Sequence, residues 1–163
     1  MRPSESQKHL NSVPLIGALL LSMPLFSCAG KLPTNLGVEA LRLAPCPSSP
    51  NCVSSDAADS THSIAAFALA MPAGDAWPAV RGALESLSRI EIIAETSDYL
   101  HAECTSAVFG FVDDLELHLR AAEGVIAVRS ASRLGYSDLG VNRRRIEDLR
   151  ALLIKQGTVG PLA

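Results

Sequence analysis

Hydrophobic and polar positions fall into regular periods only from His62 onward. Ser63 to Ala70 is an apolar run short enough for a strand, closed by the turn-forming Met71-Pro72-Ala73-Gly74. Asp75 then stands where a helix cap is needed. Trp77, Val80, Leu84 and Leu87 follow at helical spacing, and Pro78 is tolerated within the first turn. Ile90 to Thr96 and Tyr99 to Ser106 read as strands joined tightly around Ser97-Asp98, with Leu100, Ala102 and Cys104 inward and His101 and Glu103 outward. Phe111 to Arg120 alternates. Phe111, Leu115, Leu117 and Leu119 share one face, and Asp114, Glu116, His118 and Arg120 share the other. Gly124 turns the chain into a last strand, Val125 to Ser132, and a closing helix carries Val141, Ile146, Leu149 and Leu153.

The element order is strand, helix, four strands, helix. Four consecutive strands linked by short turns must run antiparallel, because parallel neighbours need a long crossover. Two amphipathic helices then cover one face of the sheet. The expected fold is α+β, a mostly antiparallel sheet of about five strands with both helices on one face, curved around the C-terminal helix by analogy with helix-grip folds. The opposite face, carrying His101, Glu103, Glu116 and His118, is expected to meet solvent.

Upstream the pattern changes. Arg2 and Lys8 precede an apolar stretch from Val13 to Phe26, which ends in Leu25-Phe26-Ser27-Cys28. This is the layout of a bacterial lipoprotein signal, from which residues 1–27 are expected to be removed and Cys28 to become an acylated N-terminus; a plain secretory signal and a retained anchor are the alternatives. The stretch is shorter than the roughly 20 residues that cross a bilayer, and Pro14 and Pro24 interrupt it. Two or more fatty chains anchor stably where one does not. Ala29 follows the cysteine, which favours the outer membrane in a cell that has one. Residues 28–60 read as a tether and loop, with Pro33, Gly37, Pro45, Pro47 and Pro50 followed by a polar run, and residues 61–157 as the folded domain.

Losing residues 1–27, which carry a net charge of +1, takes the chain from −3 to −4. A mildly acidic domain with 4% aromatic residues offers neither the basic surface nor the stacking platforms that nucleic acid requires. Of the cysteines other than Cys28, Cys46 and Cys52 bracket Pro47-Ser48-Ser49-Pro50-Asn51, a turn-forming stretch whose ends can meet. Export favours a disulfide between them, with free thiols or a metal site as the alternatives. Cys104 reads as a small buried hydrophobe. No cofactor motif is present.

Two stretches carry a resemblance. Cys46-Pro47-Ser48-Ser49-Pro50-Asn51-Cys52-Val53-Ser54-Ser55 and Arg129-Ser130-Ala131-Ser132-Arg133-Leu134-Gly135-Tyr136-Ser137-Asp138-Leu139-Gly140-Val141-Asn142-Arg143 are similar to the signature stretches of the DUF1499 family, and Phe111-Val112-Asp113-Asp114 between them is similar too. The resemblance spans about residues 43–155. It implies no particular activity.

The same stretches hold the candidate chemistry: Asp113, Asp114, Arg129, Arg133, Asp138, Asn142 and Arg143. Asp113 falls on the apolar face of its strand, so it needs a cationic or donor partner, which Arg129, Arg133 or Arg143 can supply. Such a cluster is either an ion-pair network or an anion site. Arg143, Arg144 and Arg145 crowd a helix start that Asn142 would cap, with Ser130, Ser132 and Ser137 as further donors. A hydrolase reading is weaker, since no nucleophile elbow surrounds these serines. The expected function is a membrane-tethered envelope domain that binds a small anionic or apolar ligand or an envelope protein. The alternatives are a structural lipoprotein and a hydrolase.

Overall fold

The computed structural model describes residues 30–162. The expected export signal and Cys28 lie outside the described residues. Six strands form one sheet in the order β3 (Cys52–Ser54), β8 (Val125–Ser132), β7 (Val112–Arg120), β6 (Tyr99–Thr105), β5 (Ile90–Glu95), with β4 (Phe67–Ala68) also on β8. Every pairing is antiparallel. β3 meets β8 at residues 129–131 and β4 meets it at 125–126, so the two short strands lie end to end along one edge. β5 forms the other edge; it is mostly exposed, bulged at Ile93, and carries Glu91 and Glu95, features that discourage edge-to-edge pairing.

The fold class is α+β. Helix α1 (Ala73–Ser86) and helix α2 (Val141–Lys155) pack together on one face. The core beneath them is built from Trp77, Val80 and Leu84 of α1, Ile146, Leu149 and Leu153 of α2, and Leu100, Ala102, Leu115, Leu117, Ile126 and Val128 of the sheet. α1 starts two residues before Asp75. Pro72 holds the N-cap position without a side-chain bond, and Asp75 sits in the first turn, where its charge complements the helix dipole. Phe111 precedes β7 and Val141 begins α2; both are exposed rather than core residues.

The second face departs most from expectation. β7 is buried on both sides, and His101, Asp114, Glu116 and His118 are all inaccessible. The stretch read as tether supplies both an edge and a cover. β3 extends the sheet, while β1 (Val38–Glu39) and β2 (Arg42–Leu43) form a small hairpin anchored by Gly37 N–H donating to Glu116 Oε1 (2.8 Å) and Leu43 N–H donating to Asp56 Oδ2 (2.9 Å). Arg120 grips the same Asp56 carboxylate at 2.6 Å. Charged side chains on this face are therefore buried, and each requires a partner.

Candidate functional site

Register fixes the site. Asp113 pairs with Ser132 across β7 and β8 on the helix side, and Leu115 pairs with Ser130 one step further along. Asn142 and Arg145, three residues apart on α2, face the same spot. Arg145 donates from Nη2 to Asp113 Oδ2 (2.6 Å) and from Nη1 to Asn142 Oδ1 (2.6 Å) and Ser130 Oγ (2.9 Å). Asn142 is fully buried and donates from Nδ2 to Asn51 O (3.0 Å), Ser132 Oγ (2.9 Å) and Asp138 Oδ2 (2.9 Å). Asn51 in turn donates to Gly135 O at 2.7 Å. The two signature stretches are thus bolted together around one amide.

Two expectations are corrected. The partner of Asp113 is Arg145, not Arg129, Arg133 or Arg143. Arg129 lies opposite Glu116 on the other face of the sheet, and Arg133 folds onto that face beyond the end of β8. Arg143 points away, donating to Ser63 O (2.9 Å) and Thr61 O (3.0 Å). Asn142 does not cap α2; Gly140 holds the cap position, and Asp138 accepts from the Gly140 and Asn142 amides. These bonds act against the effect of burial and hold the Asp138 carboxyl below its ordinary range. Arg145 was recognisable in principle, because the 3.6-residue period of Ile146, Leu149 and Leu153 places positions 142 and 145 beside the buried stripe.

On the far face Asp114 and Glu116 each gather several donors. Glu116 accepts from Arg129 Nη1 (2.7 Å), Tyr99 Oη (2.8 Å) and the Gly37 amide. Asp114 lies 2.7 Å from His101 Nε2 and accepts from Arg133 Nε (2.9 Å) and Nη2 (2.7 Å), while Arg133 also donates to Glu103 (2.5 Å). Burial alone would raise the Asp114 pKa; the bonds from His101 and Arg133 outweigh it and hold the carboxyl below the usual value. Tyr99 is pushed up by burial and the neighbouring Glu116. Arg129 Nε is buried without a partner among the described residues.

The nucleophile candidates are otherwise engaged. Ser130 and Ser132 bond to Asn142, and Ser137 Oγ accepts from the Leu139 amide. His62 bonds to Asp59 and Ser49, His101 to Asp114, and His118 accepts from Arg120. Among the described residues no serine hydroxyl meets a histidine ring. Cys104 is buried, and burial pushes its thiol up to about 11, which suits a packing role. Cys46 and Cys52 form a disulfide, with Cα atoms 5.7 Å apart.

Next to the Asp113 cluster lies a hollow of about 190 Å³, walled by Phe111, Leu134 and Val141 and floored by Asp113, Ser132 and Ser137. Arg145 occupies Asp113 Oδ2; Oδ1 has no protein donor among the described residues. A second, more open groove of about 470 Å³ runs between α2 and the open end of the β5–β6 hairpin, past Leu87, Ile90, Cys104 and Arg144.

Fold and site together define a two-helix, antiparallel-sheet domain whose strand ends, helix start and disulfide loop are locked by buried polar bonds. The chain belongs to DUF1499, a family described as proteins of unknown function, whose model matches residues 42–153. No curated protein and no solved structure matches it.

Proposed function

We propose that the chain is a lipid-anchored protein of the cell envelope whose domain binds rather than catalyses, and that its ligand is apolar with a hydrogen-bond donor at one end. The hollow carries this reading, with apolar walls around an acceptor-rich floor in which Asp113 Oδ1 has no protein donor among the described residues. An anionic ligand fits less well. Asp113 and Asp138 border the hollow, and the helix-start arginines are spent, Arg143 and Arg144 on backbone carbonyls and Arg145 on Asp113. Anchoring rests on the Cys28 signal, and the Cys46–Cys52 bridge suits an oxidising compartment.

The test is titration with n-octylammonium and with octanoate, followed by amide chemical shifts of Ser132, Gly135 and Val141. Octylammonium is expected to shift these signals saturably and octanoate much less, with Val141→Arg abolishing both responses. Equal or absent responses to the two probes would remove the reading. Intact mass of the chain from its host tests the anchor separately.

A structural lipoprotein is the second reading, favoured by the ion pairs that hold Asp113, Asp114 and Glu116.

A further inference from the structure

The two ends of the domain differ in what they expose. At the end where β6 passes into β7 and β8 passes into α2, the loops 106–111 and 133–140 hold Val108, Phe109, Tyr136 and Leu139 at 81, 69, 76 and 84% exposure, with Phe111 and Leu134 between them. Gly110 turns the first loop in a left-handed conformation (φ 65°) that leaves Phe109 outward. Neither loop carries an acidic side chain at its surface tip. Asp138, the one carboxylate in either, is turned inward onto the Gly140 and Asn142 amides. A single exposed leucine needs no explanation, but a cluster of six apolar side chains marks a contact surface.

What covers it follows from where the described chain begins. A Cβ placed on Gly30 would come 2.9 Å from Arg133 Cβ and 3.1 Å from Leu134 Cγ, so the backbone at residue 30 abuts the patch. Cys28 is two residues upstream, within about 7 Å of chain. Acyl chains on Cys28 would therefore emerge beside Leu134. Exposed Lys31 and Arg89 flank this end, suited to lipid phosphates, and Tyr136 and the phenylalanines have the amphipathic or aromatic character that favours the membrane interface.

We propose that the 106–111 and 133–140 loops are the membrane-facing surface of the domain, seated in the interfacial layer of the bilayer that holds Cys28, so that the hollow opens toward lipid. This rests on the anchoring reading. A domain held only by its tether would tumble, whereas one seated on this patch keeps β7 pointing away from the membrane. An amphiphile would then reach Asp113 without crossing water.

The acylated full chain is reconstituted in vesicles of phosphatidylethanolamine and phosphatidylglycerol whose acyl chains are brominated near the headgroup. Tyr136→Trp and Glu123→Trp are compared, with the buried Trp77 subtracted using the unsubstituted chain. Glu123 lies beyond the opposite end of β7, a strand of nine residues and about 26 Å. The emission added at position 136 is expected to be quenched severalfold more than that added at 123, and Leu139→Glu is expected to lower the quenching at 136. Intact mass is read on the same sample. A diacylated chain with equal quenching at both positions overturns the proposal and leaves the anchor standing. Selective quenching at 136 in a chain with an unmodified Cys28 keeps the patch and removes the anchor.

Discussion

The two faces of β7 bury carboxylates in different ways. On the helix side Asp113 terminates an apolar core and is held by one arginine at the rim, with side-chain exposures of 11% and 15%. On the far side Asp114 and Glu116 sit inside a polar layer roofed by the β1–β2 hairpin, and the Glu116–Arg129 pair is 0% and 4% exposed. The same alternating strand thus meets a greasy layer and a charged one, and both exclude water. The rim pair adjoins a hollow and can meet a ligand. The roofed pairs are sealed, so their effect is confined to specifying how the N-terminal segment docks.

Breaking the sealed pair should cost most. Glu116→Ala strands Arg129, whose Nε has no partner among the described residues, and removes the acceptor of Tyr99 and Gly37; about 4 kcal/mol of stability should go, read by denaturant unfolding. The sharper measurement is the pair Glu116→Leu with Arg129→Met, which removes both charges and should recover most of that loss. If the double variant is as unstable as the single one, the layer is held by packing of the hairpin rather than by charge.

The rim pair is smaller in effect. Asp113→Ala leaves Arg145 facing Asn142 and Ser130 without its carboxylate, and about 3 kcal/mol is expected. An unchanged melting temperature would remove the structural role of Asp113 and leave only the ligand-facing one.

This contrast also marks what the sequence could and could not reveal. The long elements were legible because their periodicity is local: Val125–Ser132 is found where expected, and β5, β6 and β7 differ from expectation by a residue at an end. The hairpin was not legible. Its turn residues, Ala40 and Leu41, have φ of 48° and 63°, a conformation that normally calls for glycine or asparagine, so no turn signal marks it. β3 was missed for another reason. It is three residues long and finds its partner in Arg129 to Ala131, far along the chain. Without a roof, alternation on β7 reads as one wet face, and His101 and His118 read as surface residues. The need of Asp113 for a cation was legible from its position on the apolar face; the identity of the cation depends on the rotation of α2, which one residue of phase decides.

The smallest effect separates two histidines. His118, on the roofed face near Arg120, Asp56, Asp98 and Glu123, has its pKa lowered by burial first and by Arg120 second. His62, beside the disulfide loop, has its pKa raised chiefly by the bond its ring donates to Asp59. A lowered histidine pKa means the folded state binds fewer protons, so the stability from His118 is present above about pH 6.5 and is lost as pH falls through that value. A raised one means the reverse: the stability from His62 is present below about pH 6.5 and is lost as pH rises through its folded pKa. In the native chain the two slopes oppose, and the melting temperature should vary little through neutrality. His62→Gln should leave a melting temperature that falls on acidification, and His118→Gln one that falls on alkalinisation. Only the sign of each slope is read, so loss of packing in either variant does not disturb the comparison. Slopes of the same sign in both variants would mean that His118 is reached by solvent and that the roof over β7 opens at that end.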